Sequence, residues 1–432
     1  MLVRLSKGLI TVALAALIPA GAAWAQETKW KDRAEYDLVA SYTKETDNNK
    51  KLQLLNEWKQ KYPDTFYKDT RLLYYLTTYQ AMNRPVEMYE TAKEMVALNP
   101  KDLRGLSWVL ILTPTLGKNT PDILETGEKA ANGLIASIDT LFAASAKPKE
   151  TSTADWEKGR TDSGALAHKV LGWVAMNRKD YAAAETQFKD SLKANPAGGE
   201  VSYWLGLVLV NQKLAEKQGE ALFHFARAAM YDGPASLNPQ ARADVTKYFE
   251  KVYSSFHGSA EGIDAVRTAA KQSALPPEGF KIKSSYELNL EKEEELKRTN
   301  PMLALWLNVR SELTGANADQ YWDSSVKGAG LPGGAHGVTK FKGKLVSHTP
   351  AKNPKELVLA VSDATTPEVT LKLDEPMVGA APAGTEIDFE GVATSFVKDP
   401  FMLVFEVDKA KVSGWPAPVK KVAPKRAIRK KK

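Results

Sequence analysis

Cysteine is absent from all 432 residues, which excludes disulfides, thiolate metal sites and a lipid-modified cysteine anchor. Histidine is scarce. The five, His168, His224, His257, His336 and His348, include no pair three or four residues apart, and no H-E-x-x-H zinc motif occurs. There is no G-x-x-x-x-G-K-[ST] phosphate loop and no G-x-S-x-G nucleophile turn. Carboxylates are plentiful but fall on charge-rich helices, where solvation is the default. These gaps predict no catalytic residue, no metal site and no cofactor, and so a protein that is not an enzyme. After the first 25 residues no apolar run approaches the ~20 residues needed to span a bilayer.

What is present begins with MLVRLSKGLITVALAALIPAGAAWA. Arg4 and Lys7 precede an apolar core from Leu9 to Ala20, and Ala23-Trp24-Ala25 is a small-x-small cleavage site. That is the layout of a secretory signal peptide, residues 1–25, with cleavage expected near Ala25. The reading is an exported protein of a bacterial envelope, periplasmic or secreted. Net charge is +7, but the leader holds two of the positive charges and the acid-free stretch Pro416–Lys432 holds eight, so the body between them stands at −3. Basicity is a property of the tail.

Ala165 to Pro196 reads ALAHKVLGWVAMNRKDYAAAETQFKDSLKANP. With Ala165 as the first of 34 positions, Leu171 and Gly172 fall at seven and eight, Ala184 at twenty, Phe188 at twenty-four and Pro196 at thirty-two, with Tyr181 in the turn. The stretch resembles a tetratricopeptide repeat (TPR), in which two short antiparallel helices pack through small residues at fixed places. Gly172 and Ala184 let the helices approach, Phe188 fills the groove between them and Pro196 stops the second helix. His168 and Ser191 depart from the pattern. Leu205 and Gly206 lie 34 residues after Leu171 and Gly172. Ala221, Phe225 and Ala228 recover the later positions if the turn carries three extra residues.

The expected fold class is therefore mainly α, a helical-hairpin, TPR-like solenoid, followed by a small five-stranded β domain that resembles an OB-fold barrel. Residues 26–145 read as degenerate helical repeats, 146–162 as a polar loop, 163–235 as the clear repeat pair, and 236–327 as further helices and a cap. GAGLPGGAHG (328–337) formally satisfies G-x-G-x-x-G, but it follows a helix and contains a proline, so it reads as a glycine-rich linker. Residues 338–415 show strand alternation in five segments, 341–347, 357–361, 369–373, 386–397 and 401–412. Residues 416–432 read as a disordered basic tail.

The TPR resemblance implies ligand contacts in a concave groove at Lys169, Trp173, Met176 and Asn177, and at Glu200, Tyr203, Leu207 and Asn211 in the next repeat. An extended peptide or partner helix would suit such a lining. The competing reading packs Trp173 and Tyr203 against an adjacent repeat. Some members of the family grip a terminal carboxylate with paired Lys and Asn; here Trp173 stands at the asparagine position, so that mode is not expected. In the tail Lys420, Lys421, Lys425, Arg426, Arg429 and Lys430 suit an anionic envelope polymer or lipid surface. The alternative function is nucleic-acid binding by the OB-like domain and tail. Against it, Val338–Trp415 carries nine Lys or Arg and eleven Asp or Glu, which leaves no basic groove for phosphates.

Overall fold

The computed structural model describes residues 29–417. The expected leader, and Lys420, Lys421, Lys425, Arg426, Arg429 and Lys430 of the tail, lie outside the described residues. The chain divides into two compact units, at Ser285 and Tyr286.

The first unit is a run of helices: α1 (Arg33–Lys44), α2 (Asn48–Lys61), α3 (Lys68–Ala81), α4 (Pro85–Leu98), α5 (Leu103–Thr115), α6 (Pro121–Leu141), α7 (Thr153–Asn177), α8 (Tyr181–Ala194), α9 (Gly199–Asn211), α10 (Gln218–Met230), α11 (Pro239–His257) and α12 (Ile263–Gln272). Their starts follow local chemistry. Asp32, Asp47, Asp102, Ser152, Asp180 and Asn238 accept hydrogen bonds from first-turn amides, satisfying donors that have no partner within the helix. Pro85, Pro121 and Pro239 stand at helix starts, where a missing N–H costs nothing.

The repeat pair forms as the spacing predicts. A Cβ built on Gly172 would lie 2.5 Å from the Phe188 ring, and one on Gly206 2.8 Å from the Phe225 ring, so each glycine is the floor on which the facing phenylalanine lies. Ser191, at a position where alanine is usual, is buried and donates its hydroxyl to Ala165 O at 2.9 Å. The three extra residues appear as a short 3-10 turn, Ala215–Lys217.

A third repeat, within the stretch read as degenerate helical repeats, lies in α3 and α4. Asn83 and Lys179, 96 residues apart, both take left-handed φ values (54° and 65°) just after the first helix, and Lys213, 34 residues further, does the same at 57°. Arg84 N–H reaches back to Tyr79 O and Asp180 N–H to Ala175 O, both at 2.9 Å, closing the same helix end twice. After the second helix Asn99 Oδ1 accepts from Lys101 N–H and Asn195 Oδ1 from Ala197 N–H, at 3.0 and 2.9 Å. In this register Leu76 stands where Gly172 does and Ala92 where Phe188 does, and both are buried. The large and small partners have changed sides. A search for glycine and phenylalanine at fixed places cannot see this.

Two buried arginines tie helix ends together. Arg71 donates to the carbonyls of Trp58, Tyr62 and Pro63, and Arg227 to those of Pro196, Ala270 and Lys271. On α8 and α10 burial raises the Glu185 carboxyl, but hydrogen bonds from Gln212, Lys189 and Lys217 more than offset this and hold it at about 2. His224 is fully buried, neither ring nitrogen has a hydrogen bond, and Nε2 stands 3.7 Å from Glu220. Burial pushes its imidazole down, and Glu220 offsets this only in part. Both folded values lie below the unfolded ones, so the unfolded chain takes up protons first. Stability present at pH 7 should decline below about 6.5 through His224, and again from about 4.5 towards 2 through Glu185. Urea midpoints from pH 8 to 4 should show the first decline, and His224→Leu should flatten it. A parent protein with an unchanged midpoint from pH 7 to 5 would refute this account.

One sequence expectation fails in this unit. Residues 153–162, read as part of a loop because of their polarity, form the first turns of α7, capped by Ser152 and held by Trp156, whose indole donates to Phe142 O at 2.9 Å. Only the short stretch ahead of Ser152 is loop, after a 3-10 turn at Ala144–Ala146.

The second unit contains α13 (Ser285–Thr299), α14 (Pro301–Thr314), α15 (Ala318–Tyr321) with a π-helical turn at Trp322–Val326, and strands β1 (Gly330–Leu331), β2 (Phe341–Thr349), β3 (Glu356–Ala360), β4 (Val369–Leu373), β5 (Glu386–Phe389), β6 (Gly391–Lys398) and β7 (Phe401–Val407). α13 has no buried residue, in keeping with its charge-rich sequence. The strands form one sheet in the order β1-β6-β7-β4-β3-β2-β5, antiparallel except for β4 beside β7. The single residue Glu390 separates β5 from β6, yet they pair with β2 and β7 on opposite sides of the order, so the sheet must curl into a half-barrel. Ser413 exchanges backbone hydrogen bonds with Asp388 at 2.9 and 3.0 Å, covering the outer side of β5. Gly414 sits there at φ +91°, where any Cβ would collide with Glu386 O.

Three expectations change here. Among the described residues the strand count is seven, not five, because 386–397 breaks at Glu390 and Gly330–Leu331 pairs with β6; the last strand ends at Val407. The glycine-rich stretch 328–337 is accordingly part of the fold and not a linker. Finally, α14 does not cap a solenoid. Its Trp306, Val309 and Leu313 belong to the core of the sheet, with Trp306 edge-on to Phe341 at 5.3 Å. A buried carboxylate fixes it. Glu368 accepts from Arg310 Nη1 (2.6 Å), Trp306 Nε1 (3.2 Å), Val361 N–H (3.1 Å) and Ser362 N–H (2.6 Å).

Candidate partner groove and its cavity

The candidate groove residues lie on α7 and α9, the first helices of two successive repeats. Lys169 ion-pairs with Glu200 at 2.7 Å across the two helices, and its ammonium lies 5.2 Å from the Trp204 ring centroid. Asn177 and Asn211 are repeat-equivalent and use their amides alike, donating to Trp173 O and Leu207 O at 2.8 Å. Met176, Tyr203 and Leu207 are half-buried and Asn211 is exposed. Tyr203 meets Phe225 at 6.2 Å, and Phe225 in turn meets Tyr248 of α11 at 5.0 Å. Burial raises the Tyr203 hydroxyl above its ordinary range.

Trp173 is different. Only 7% exposed, it belongs to the hydrophobic core, so the competing packing reading applies to it and it drops from the groove. Its end of α7 is held to α6 and the residues just before it. Asn119 donates to Asn177 Oδ1 at 3.2 Å, and Arg178 forms two hydrogen bonds with Glu128 at 2.9 and 2.8 Å.

Sequence reasoning missed two features. Tyr248, 41% exposed, extends the aromatic lining from α11. Between the middle of α7 and the N-terminal end of α9 a cavity of about 160 Å3 opens beside Lys169 and Glu200, walled by Ala165, Leu166, Val201 and Leu237. No local signal marks it, because its walls come from α7, α8, α9 and the residues before α11. Among the described residues there is no cluster of three or more His, Asp or Glu that could hold a metal, and no helix long and apolar enough to cross a membrane.

Glycine against phenylalanine in two hairpins, with the left-handed turn residue recurring in three, decides the architecture. The helical unit has a TPR-like fold. No family model and no curated protein matches the chain. Among solved structures it is similar to pilF of Pseudomonas aeruginosa, at 14% identity and a TM-score of 0.31, over 62% of this chain and 91% of that one. It is also similar to a thermophilic TPR protein of Thermus thermophilus, at 16% identity and a TM-score of 0.23, over 42% of this chain and 97% of that one.

Proposed function

We propose that the protein is a non-catalytic scaffold that holds a protein or peptide partner against α7, α9 and α11. The observation that carries this reading is the run of apolar groups, half-buried at Met176, Tyr203 and Leu207 and exposed at Tyr248, bordered by amides and one ion pair. Apolar anchors with a polar edge are the composition of a recognition surface. The leader layout around Arg4, Lys7 and Ala23-Trp24-Ala25 supports export to the envelope. The acid-free basic run from Lys420 supports a second, electrostatic contact with an anionic polymer or lipid, weakened by salt. We also read the curled sheet as OB-like, on the strength of its parallel β4–β7 pairing and of the segment 386–398, whose two halves pair with different neighbours. The acidic balance of that domain argues against nucleic acid as its ligand.

The test is site-specific photo-crosslinking in the native envelope, with the probe at Leu207 and, as control, at the exposed Thr186 of α8. One protein should be enriched at Leu207 over Thr186, and Tyr203→Ala should reduce its capture at least ~10-fold while helicity is unchanged. Equal capture at both positions would sink the groove reading. Removing Pro416–Lys432 should leave this capture intact and abolish salt-sensitive binding to anionic vesicles.

A further inference from the structure

The cavity between the middle of α7 and the start of α9 is recognisable by what its polar groups are already doing. Asp162 Oδ1 accepts from Asn195 Nδ2, and Asn195 Oδ1 from Ala197 N–H, both at 2.9 Å. Asn238 Oδ1 accepts from Ala241 N–H at 2.9 Å, Ser191 donates to Ala165 O at 2.9 Å, and Lys169 holds Glu200 at 2.7 Å. Each charged or amide side chain around the cavity therefore has a partner within the chain. Ala165, Leu166, Ala197, Val201 and Leu237 supply the rest of the surface.

This arrangement selects against charge. A carboxylate that drew Lys169 to itself would strand Glu200, and a cation that took Glu200 would strand Lys169; either exchange gains no net ion pair and leaves a partly buried charge alone. An apolar group disturbs none of these bonds and gains the burial of its own surface. The volume sets its size, since a cavity of ~150 Å3 lined by aliphatic side chains accommodates a benzene-sized group.

We infer that this cavity is the anchor site for one large apolar side chain of the partner, of leucine or methionine size, presented by an extended peptide. The inference rests on the groove reading above and names the chemistry the groove selects. The Lys169–Glu200 pair is then a rim that stays closed on itself while the side chain enters beside it.

Methyl NMR of the full mature chain, titrated with N-acetyl-leucine-N-methylamide, tests this. Saturable shifts are expected for the methyls of Ala165, Leu166, Val201 and Leu237, with half-saturation on the order of 1 mM, as suits so small a ligand. N-acetyl-methionine-N-methylamide should bind within about threefold of the leucine probe, and N-acetyl-alanine-N-methylamide at least ~10-fold more weakly. N-acetyl-leucine, with its free carboxylate, should bind no more tightly than the amide. Ala197→Phe and Ser236→Phe each add a ring at a residue that lines the cavity, and either folded variant should lose the shifts. Lys169→Gln combined with Glu200→Gln should keep them. Absence of saturable shifts, a tenfold preference for the free carboxylate, or shifts that survive a filled cavity would overturn the inference. If the probes fail while capture at Leu207 persists, only the anchor falls; if both fail, the groove reading falls with it.

Discussion

Exchanging Gly172 for leucine is expected to destabilise the helical unit by about 3 kcal/mol, and adding Phe188→Ala should restore most of that loss. The single change sets a branched side chain where even a Cβ would lie 2.5 Å from an aromatic ring. Phe188→Ala alone removes a fully buried ring and should cost about 3–5 kcal/mol. Together the changes rebuild the arrangement the protein already uses in α3 and α4, where Leu76 and Ala92 occupy these two places. Urea unfolding of the four proteins, followed by far-UV circular dichroism, gives the coupling energy directly. A coupling below ~1 kcal/mol would mean that the two positions do not share one volume.

Glu368→Ala is expected to cost the second unit about 3–5 kcal/mol. The carboxylate collects four donors, and its removal leaves the Arg310 guanidinium, the Trp306 indole and two backbone amides without their acceptor. Glu368→Gln should be intermediate, since its carbonyl can still accept while its NH2 group faces donors. Hydrogen exchange read by mass spectrometry localises the effect. The segments covering β3, β4 and β7 should exchange faster in the alanine variant, and α14 with them. Protection equal to the parent in α14 would show that this helix does not depend on Glu368 for its place on the sheet.

Legibility in the sequence followed the range of the interaction. Hairpin α7–α8 was readable because position and residue type recur within 34 residues, and the small–large contact between Gly172 and Phe188 is made by side chains close in sequence. Hairpin α3–α4 was readable only as a degenerate pair, although it folds alike, because Leu76 and Ala92 reverse the sizes and keep only their sum. The polarity of 153–162 suggested a loop, but Ser152 caps a helix there and its polar residues face solvent. In the sheet, alternation located β2, β3, β4 and the start of β7, but it missed β1, ran past Val407 and hid the change of partner at Glu390, since both halves of 386–397 alternate in phase with their own neighbours.

By itself the sequence determined the elements and the repeat. Capping residues, prolines at helix starts, the 34-residue spacing and the absence of cysteine all act locally or by composition, and they pointed to paired helices followed by strands. The tertiary structure alone decided where each apolar face is spent. It buried Trp173 in the core, sent Trp306 and α14 to the sheet instead of the solenoid, and assembled the cavity beside Lys169 from residues as far apart as Asp162 and Asn238. Propensity and periodicity say that a helix has an apolar side; which surface covers it depends on contacts tens of residues away, and one sequence carries no local mark of them.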